Sequence, residues 1–267
     1  MDPTLHEWLN LLVRWFHVVA GITWLGQTYL FNRLEGRLAE AARGAGQAEP
    51  IWLVHSGGFY VVHKDKSPAR LPATLHWFQW ESALTWLSGL LLLLVVYYAG
   101  GLLTRDPDVG FVPAAAVGLG SLVVSWIVYD QLCRSALGRS EAGMAVVGFA
   151  LLLALAFGLT RVLSLRAAYI HVGATMGTIM MGNVWSFILP TQRRMIAVIG
   201  QGQRLEPALE AQAMLRTKHN TYLSVPLVFV MLSNHFPTVS YGHTWSWAML
   251  GVFLLLGFAG AHVMRRL

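Results

Sequence analysis

Residues Gly143–Leu163 read GMAVVGFALLLALAFGLTRVL, with Arg161 as their single charge. A bilayer core takes about 20 apolar residues as a helix, so this run is long enough to span one. Six further stretches qualify: Trp8–Phe31, Leu75–Tyr98, Phe111–Leu132, Ala167–Leu189, Thr221–Phe236 (short, with Pro226 inside) and Trp245–Met264. The composition agrees. Of 267 residues, 55% are apolar and 12% charged, half the charge of a soluble domain, which averages about 25%. That excludes an ordinary soluble domain, a disordered chain and a collagen-like one. Eleven Trp and 26 Gly suit membrane interfaces and close helix approach. One cysteine, Cys133, excludes a disulfide framework, a CxxC pair, an iron–sulfur cluster and a covalent haem site. The expected fold is all-α: a polytopic helical membrane protein of about seven transmembrane helices, forming one integral membrane domain over 1–267.

Lysine and arginine set the expected orientation. Arg33, Arg37, Arg43, Lys64, Lys66 and Arg70 follow the first span, and Arg134 and Arg139 the third. Arg193, Arg194, Arg204, Arg216 and Lys218 follow the fifth, and Arg265 and Arg266 end the chain. The other side has only Arg105, Arg161 and Arg166, with Arg14 inside the first span. The N-terminus is therefore expected outside (periplasmic) and the C-terminus in the cytoplasm, in a bacterial inner membrane. The net charge of +6 is cytoplasmic loop charge, so no nucleic-acid partner is read from it. The first span lacks a basic leader and a small-residue cleavage site, and carries Arg14, His17 and Gln27. It is not read as a cleavable signal peptide.

Two long cytoplasmic loops are expected, over about 32–74 and 190–218. Long loops are often functional. Glu35–Ala48 and Leu205–Leu215 read as amphipathic helices lying at the membrane surface. The first and fifth spans also overlay. His17 falls on His171, Ala20 on Ala174, Gly21 on Thr175, Trp24 on Thr178 and Thr28 on Gly182, positions that share one helical face. This suggests an internal four-helix repeat, about 8–163, followed by a second unit, about 167–267, lacking its last helix. Transporters use such repeats too.

Ionisable groups inside spans are costly and usually functional. His17 and His171, expected at matching depth, are candidate axial ligands of haem iron, either of one haem from both faces or of one iron each, with Gly21 and Ala174 or Thr175 one turn along leaving room for a porphyrin. Glu81, one to two turns into the second span, is a candidate proton acceptor, because desolvation raises a carboxyl pKa. His76 and His219 open the second and sixth spans. The run His55-Ser56-Gly57-Gly58-Phe59-Tyr60 puts two glycines between a His and a Tyr, a pattern able to cradle a planar anion through backbone N–H groups. Lys64 and Arg70 nearby favour an anion.

Several runs carry a resemblance: Trp15-Phe16-His17 with Gly21-Ile22-Thr23-Trp24-Leu25-Gly26, the His55–Tyr60 run, Leu75-His76-Trp77-Phe78-Gln79-Trp80-Glu81, Thr85-Trp86-Leu87-Ser88-Gly89, His219-Asn220-Thr221-Tyr222-Leu223-Ser224-Val225-Pro226, and Met231-Leu232-Ser233-Asn234-His235. Together they resemble the membrane domain of the bacterial membrane-bound, cytochrome c-dependent urate oxidase (urate hydroxylase) family, over nearly the whole chain. The resemblance implies oxidation of urate to 5-hydroxyisourate with electrons passed to cytochrome c. Family members typically carry one more helix and a cytochrome c domain, neither of which is in this sequence, so the resemblance implies either a separate electron carrier or a truncated or short form of the chain. The His17…Thr23-Trp24 stretch is more distantly similar to the four-helix, haem-binding protoporphyrinogen oxidases, which implies haem b at His17 and, through the repeat, at His171.

The expected activity is thus a membrane oxidoreductase. Glu81, His76 and His219 are its expected catalytic groups. His55, Gly57, Gly58, Tyr60, Lys64, Arg70 and Asn220 are expected to bind urate, and His17 and His171 to hold haem b. The partners are urate, membrane lipid and a separate cytochrome c or other electron carrier. The alternatives are a purine or anion transporter and a non-catalytic b-type cytochrome subunit.

Overall fold

The computed structural model describes residues 2–45, 50–65, 68–104, 108–203 and 206–265. Lys66, Arg105, Arg204 and Arg266 of the charge pattern, and residues 46–48 and 205 of the two amphipathic segments, lie outside the described residues. The elements are α1 Pro3–Ala45, strands β1 Ile51–His55 and β2 Gly58–Val62, α2 Trp80–Leu93, α3 Phe111–Arg134, α4 Glu141–Val162, α5 Leu165–Asn183, α6 Leu189–Gly200, α7 Pro207–Ser233 and α8 Ser246–Met264. Wide π turns extend α2 through Leu94–Tyr98 and join α5 to α6 through Val184–Ile188. Among the described residues seven continuous rods result, as expected for this all-α membrane fold. Six of them, α1, α2, α3, α4, α5–α6 and α8, are long and apolar enough to cross a membrane.

The seventh rod, α7, is apolar along only part of its length. Its interior face carries Arg216, Asn220, Thr221, Ser224 and Ser233, all buried. Its polar groups are satisfied inside the bundle, so hydropathy understates it. Pro226 lies within it and meets α8 at Gly257, where an added Cβ would sit 2.5 Å from the proline. Without a hydrophobic drive between helices in lipid, small residues that let backbones touch supply the packing. The central rod is α5, buried from Ala167 to Asn183 on most of its circumference. Gly182 there leaves room for the Trp126 ring of α3, 2.7 Å from where its Cβ would be. Around this core the outward rows stay apolar and exposed, such as Val18, Val19 and Ile22 of α1 and Val123, Val124 and Ile127 of α3. Patches of that extent need lipid or a partner to cover them.

The two long loops are shorter than expected. Glu35–Ala45 continues α1 rather than forming a separate surface helix, α6 extends the fifth rod to Gly200, and α7 begins at Pro207. No proline interrupts Phe31–Ala45, and its Leu, Ala, Glu and Arg residues favour helix enough to carry it through Gly36 and Gly44, so the helix runs on past the apolar stretch. The first loop also folds into a hairpin. β1 and β2 pair antiparallel with His55 opposite Gly58. Ser56 and Gly57 turn at φ 49° and 75°, the two positive values that a two-residue hairpin loop needs. The stretch was legible as a turn, but its strands are apolar on both faces and lack the alternation that marks a half-buried strand.

Candidate functional site

The hairpin end of the bundle holds two polar clusters, one on each side of the wide turn after Asn183. The first is built where α1, α2 and the Val184–Ile188 turn meet. Glu81 lies one residue into α2 and accepts a hydrogen bond on Oε1 from Gln27 Nε2 of α1 at 3.1 Å. Its second oxygen, Oε2, is buried with no partner, and so is Oε1 of Gln79. Beneath them Trp185 Nε1 donates to Ser82 Oγ at 3.1 Å, and the Trp80 and Trp185 rings meet edge-on at 5.7 Å. Asn32 and Tyr29 of α1 reach α7 through Thr221 Oγ1 and Ser224 Oγ. Two buried acceptors without donors, a carboxylate and an amide oxygen two residues apart, thus lie next to the Trp80–Trp185 contact.

The second cluster joins α3, α5 and α7. Arg216, 1% exposed, donates from Nη2 to Asp130 Oδ1 at 2.6 Å and from Nη1 to Asn183 Oδ1 at 3.0 Å. Its guanidinium also stacks 4.3 Å over the Phe187 ring. Asn183 Nδ2 donates to Asn220 Oδ1 at 2.8 Å and to Tyr129 Oη at 2.9 Å, and Asn220 Nδ2 donates to Met180 O at 3.0 Å. Tyr129 Oη accepts from Asn183 and pairs with His219 Nδ1, 2.8 Å away, which also lies 3.9 Å from Cys133 Sγ. With Tyr129 as the donor, neutral His219 carries its proton on Nε2. None of these side chains is among the buried polar groups left without a partner.

The expected histidine pair is not arranged as a pair. His17, half-buried, bonds through Nδ1 to Thr85 O and Ser88 Oγ of α2, each at 3.0 Å. A carbonyl only accepts, so Nδ1 carries the proton and the lone pair is on Nε2. His171, fully buried, donates from Nδ1 to Ala167 O at 2.7 Å, and its Nε2 accepts from Tyr98 Oη at 3.0 Å. Gly118 of α3 sits so close that an added Cβ would lie 2.8 Å from that Nε2. His17 thus faces α2 and His171 faces α3. They also differ in height. His17 is level with Thr85–Gly89 of α2, and Trp86 there meets Thr178 of α5. His171 lies seven residues along α5 from Thr178, roughly 10 Å at 1.5 Å per residue. The two do not fit the opposite faces of one haem. His171 has both nitrogens taken and no room for a macrocycle. His17 has the chemistry of an axial ligand, with one nitrogen anchored by a backbone carbonyl, as metal-ligating histidines usually are, and a lone pair on the other, while Gly89 of α2 lies against its ring edge, where an added Cβ would be 3.0 Å from Cε1.

The remaining expected residues are scattered. His55, Gly57 and Tyr60 are exposed on the hairpin and Gly58 is half-buried. The hairpin packs against α1, and no hydrogen bond among the described residues joins it to Glu81. Lys64 pairs with Glu35. Arg70 and His76 are exposed on the segment leading to α2. His219 and Asn220 belong to the second cluster, away from Glu81. Sequence reasoning passed over Gln27, Gln79, Ser82 and Trp185 around Glu81. It also passed over Asp130 and Asn183 and read Arg216 as loop charge. The available signals were Gln79 two residues before a buried carboxylate and Asp130, a carboxylate near the end of a span.

Comparison with known proteins is specific at one level. No curated protein and no solved structure matches. The family described as urate oxidase N-terminal matches residues 3–266, nearly the whole chain. The protein belongs to the urate oxidase N-terminal family.

Proposed function

We propose that the protein is the membrane part of an oxidoreductase that converts urate to 5-hydroxyisourate and passes the electrons to cytochrome c or another respiratory carrier. The observation that supports this reading is the pair of buried, unpartnered acceptors, Glu81 Oε2 and Gln79 Oε1, in a chain of this family. Urate is a flat anion whose ring nitrogens carry N–H donors. Two such groups satisfy both orphaned oxygens, and the Trp80 and Trp185 indoles flank the ring.

The chemistry balances as follows. Urate monoanion and water give 5-hydroxyisourate, one proton and two electrons. Glu81 takes the proton on Oε2, the oxygen left without a partner while Oε1 accepts from Gln27. Gln79 holds the ring in register. His76, exposed just before α2, hands the proton to water. The Lys and Arg bias supports a cytoplasmic position for this end of the bundle and a periplasmic N-terminus, in a bacterial inner membrane. His17 is the residue that would hold haem b, which supplies one-electron redox capacity when bound.

A visible spectrum of the purified protein, recorded oxidised and then after adding urate, tests this reading. The expected result is a Soret band that shifts to its reduced position as urate is consumed. A spectrum without a Soret band, together with urate untouched in the presence of cytochrome c, overturns it.

A further inference from the structure

A cavity of about 850 Å³ lies between α3, α4, α5, α7 and α8, with Tyr129 and His219 of the second cluster in its wall. Its wall is almost wholly apolar. Val124, Val146, Leu151 and Leu255 line it and are also exposed on the outer surface of the bundle, so it opens sideways, where lipid would lie. The polar residues at the lining include Ser125, Tyr129, Tyr222 and the Lys218–Glu141 ion pair, and two further groups offer donors. His219 lines one end and, with Tyr129 donating to its Nδ1, carries an N–H on Nε2. Thr175, fully buried, lines the cavity from α5, and its Oγ1 has no hydrogen-bond partner. Asn220 bonds to Met180 O, so His219 is level with Met180. Thr175 is five residues further along α5, roughly 7 Å deeper at 1.5 Å per residue.

We infer that this cavity binds a lipid-soluble quinone. A quinone has a flat ring with carbonyl oxygens at opposite edges and an apolar tail. One carbonyl accepts from His219 Nε2–H and the other from Thr175 Oγ1–H, which gives the orphaned hydroxyl its partner. The tail leaves through the side opening into lipid. A phospholipid acyl chain would fill the apolar wall but leave both donors unsatisfied. Within the urate-oxidising reading, on which this step rests, the quinone is the carrier. It takes the two electrons and two protons, one released from urate and one from solvent, and leaves as quinol.

The test uses wild-type protein in phosphatidylcholine nanodiscs and a decyl-tailed benzoquinone, read by quenching of tryptophan fluorescence. Trp126 follows the cavity residue Ser125 on α3 and is a nearby reporter. Gly148→Phe projects a ring into the cavity, since nothing lies within 4 Å of a Cβ there. Thr175→Val removes only the hydroxyl. The expected result is saturable quenching in wild type, abolished in Gly148→Phe and weakened about tenfold in Thr175→Val, for one lost hydrogen bond that would otherwise leave a carbonyl unpaired. Non-saturating quenching in wild type, rising only with quinone in the bilayer, overturns the inference by marking an acyl-chain groove. So does equal affinity in all three proteins. Wild type that oxidises urate with cytochrome c yet fails to saturate breaks this inference alone. Saturable binding without urate turnover breaks the proposed function alone.

Discussion

The two polar clusters at the hairpin end have similar ingredients and different completeness. Around Arg216, five side chains from three helices exchange hydrogen bonds until no buried group among them lacks a partner. Around Glu81, two acceptors are buried and left wanting. A completed network fixes helices against one another, and its charge cannot be removed cheaply. An incomplete one is costly as it stands, which makes sense where a ligand supplies the missing donors. The same contrast separates the histidines. His171 is satisfied through both nitrogens and His17 through one.

This contrast can be broken in graded steps. The largest effect is expected at His17. His17→Ala should abolish the Soret band, whereas His171→Ala should retain it and melt at lower temperature; the reverse pattern would exchange their roles. Next is Arg216→Met, which leaves Asn183 Oδ1 without its donor and Asp130 with Arg134 alone. It should lower unfolding stability by about 1–3 kcal/mol, read by denaturation in detergent, and an unchanged midpoint would make the network dispensable. Gln79→Leu should raise the KM for urate about tenfold with kcat little changed, because a substrate N–H loses its acceptor. The smallest change is Tyr98→Phe, which removes the donor to His171 and should cost about 1 kcal/mol without altering the visible spectrum.

Much of this was legible in the sequence, for physical reasons. Runs such as Gly143–Leu163 are apolar all round because they face both core and lipid, and hydropathy finds them. Glu81 stood out because a carboxylate inside a span needs an explanation. Arg216 did not. It follows a polar segment, and only the rotation of α7 turns it inward to Asp130. The histidine overlay was sound as a pattern on a helix face, but a face does not say which neighbour it meets. His17 turned to α2 and His171 to α3. Gln79 precedes α2 and reads as loop, so its buried oxygen emerges only once the chain packs. The hairpin residues His55–Tyr60 looked like an anion cradle from their glycines, yet Ser56 and Gly57 serve a tight turn, and the backbone freedom is used there.

The most direct test of the account is urate turnover by Glu81→Gln, measured beside its thermal unfolding. The change keeps the shape, removes the proton acceptor and neutralises a buried, half-satisfied charge. The account predicts a loss of about a hundredfold or more in kcat with an unfolding midpoint equal to or above wild type. Turnover at the wild-type rate would contradict it, as would a loss of activity that only follows a loss of fold.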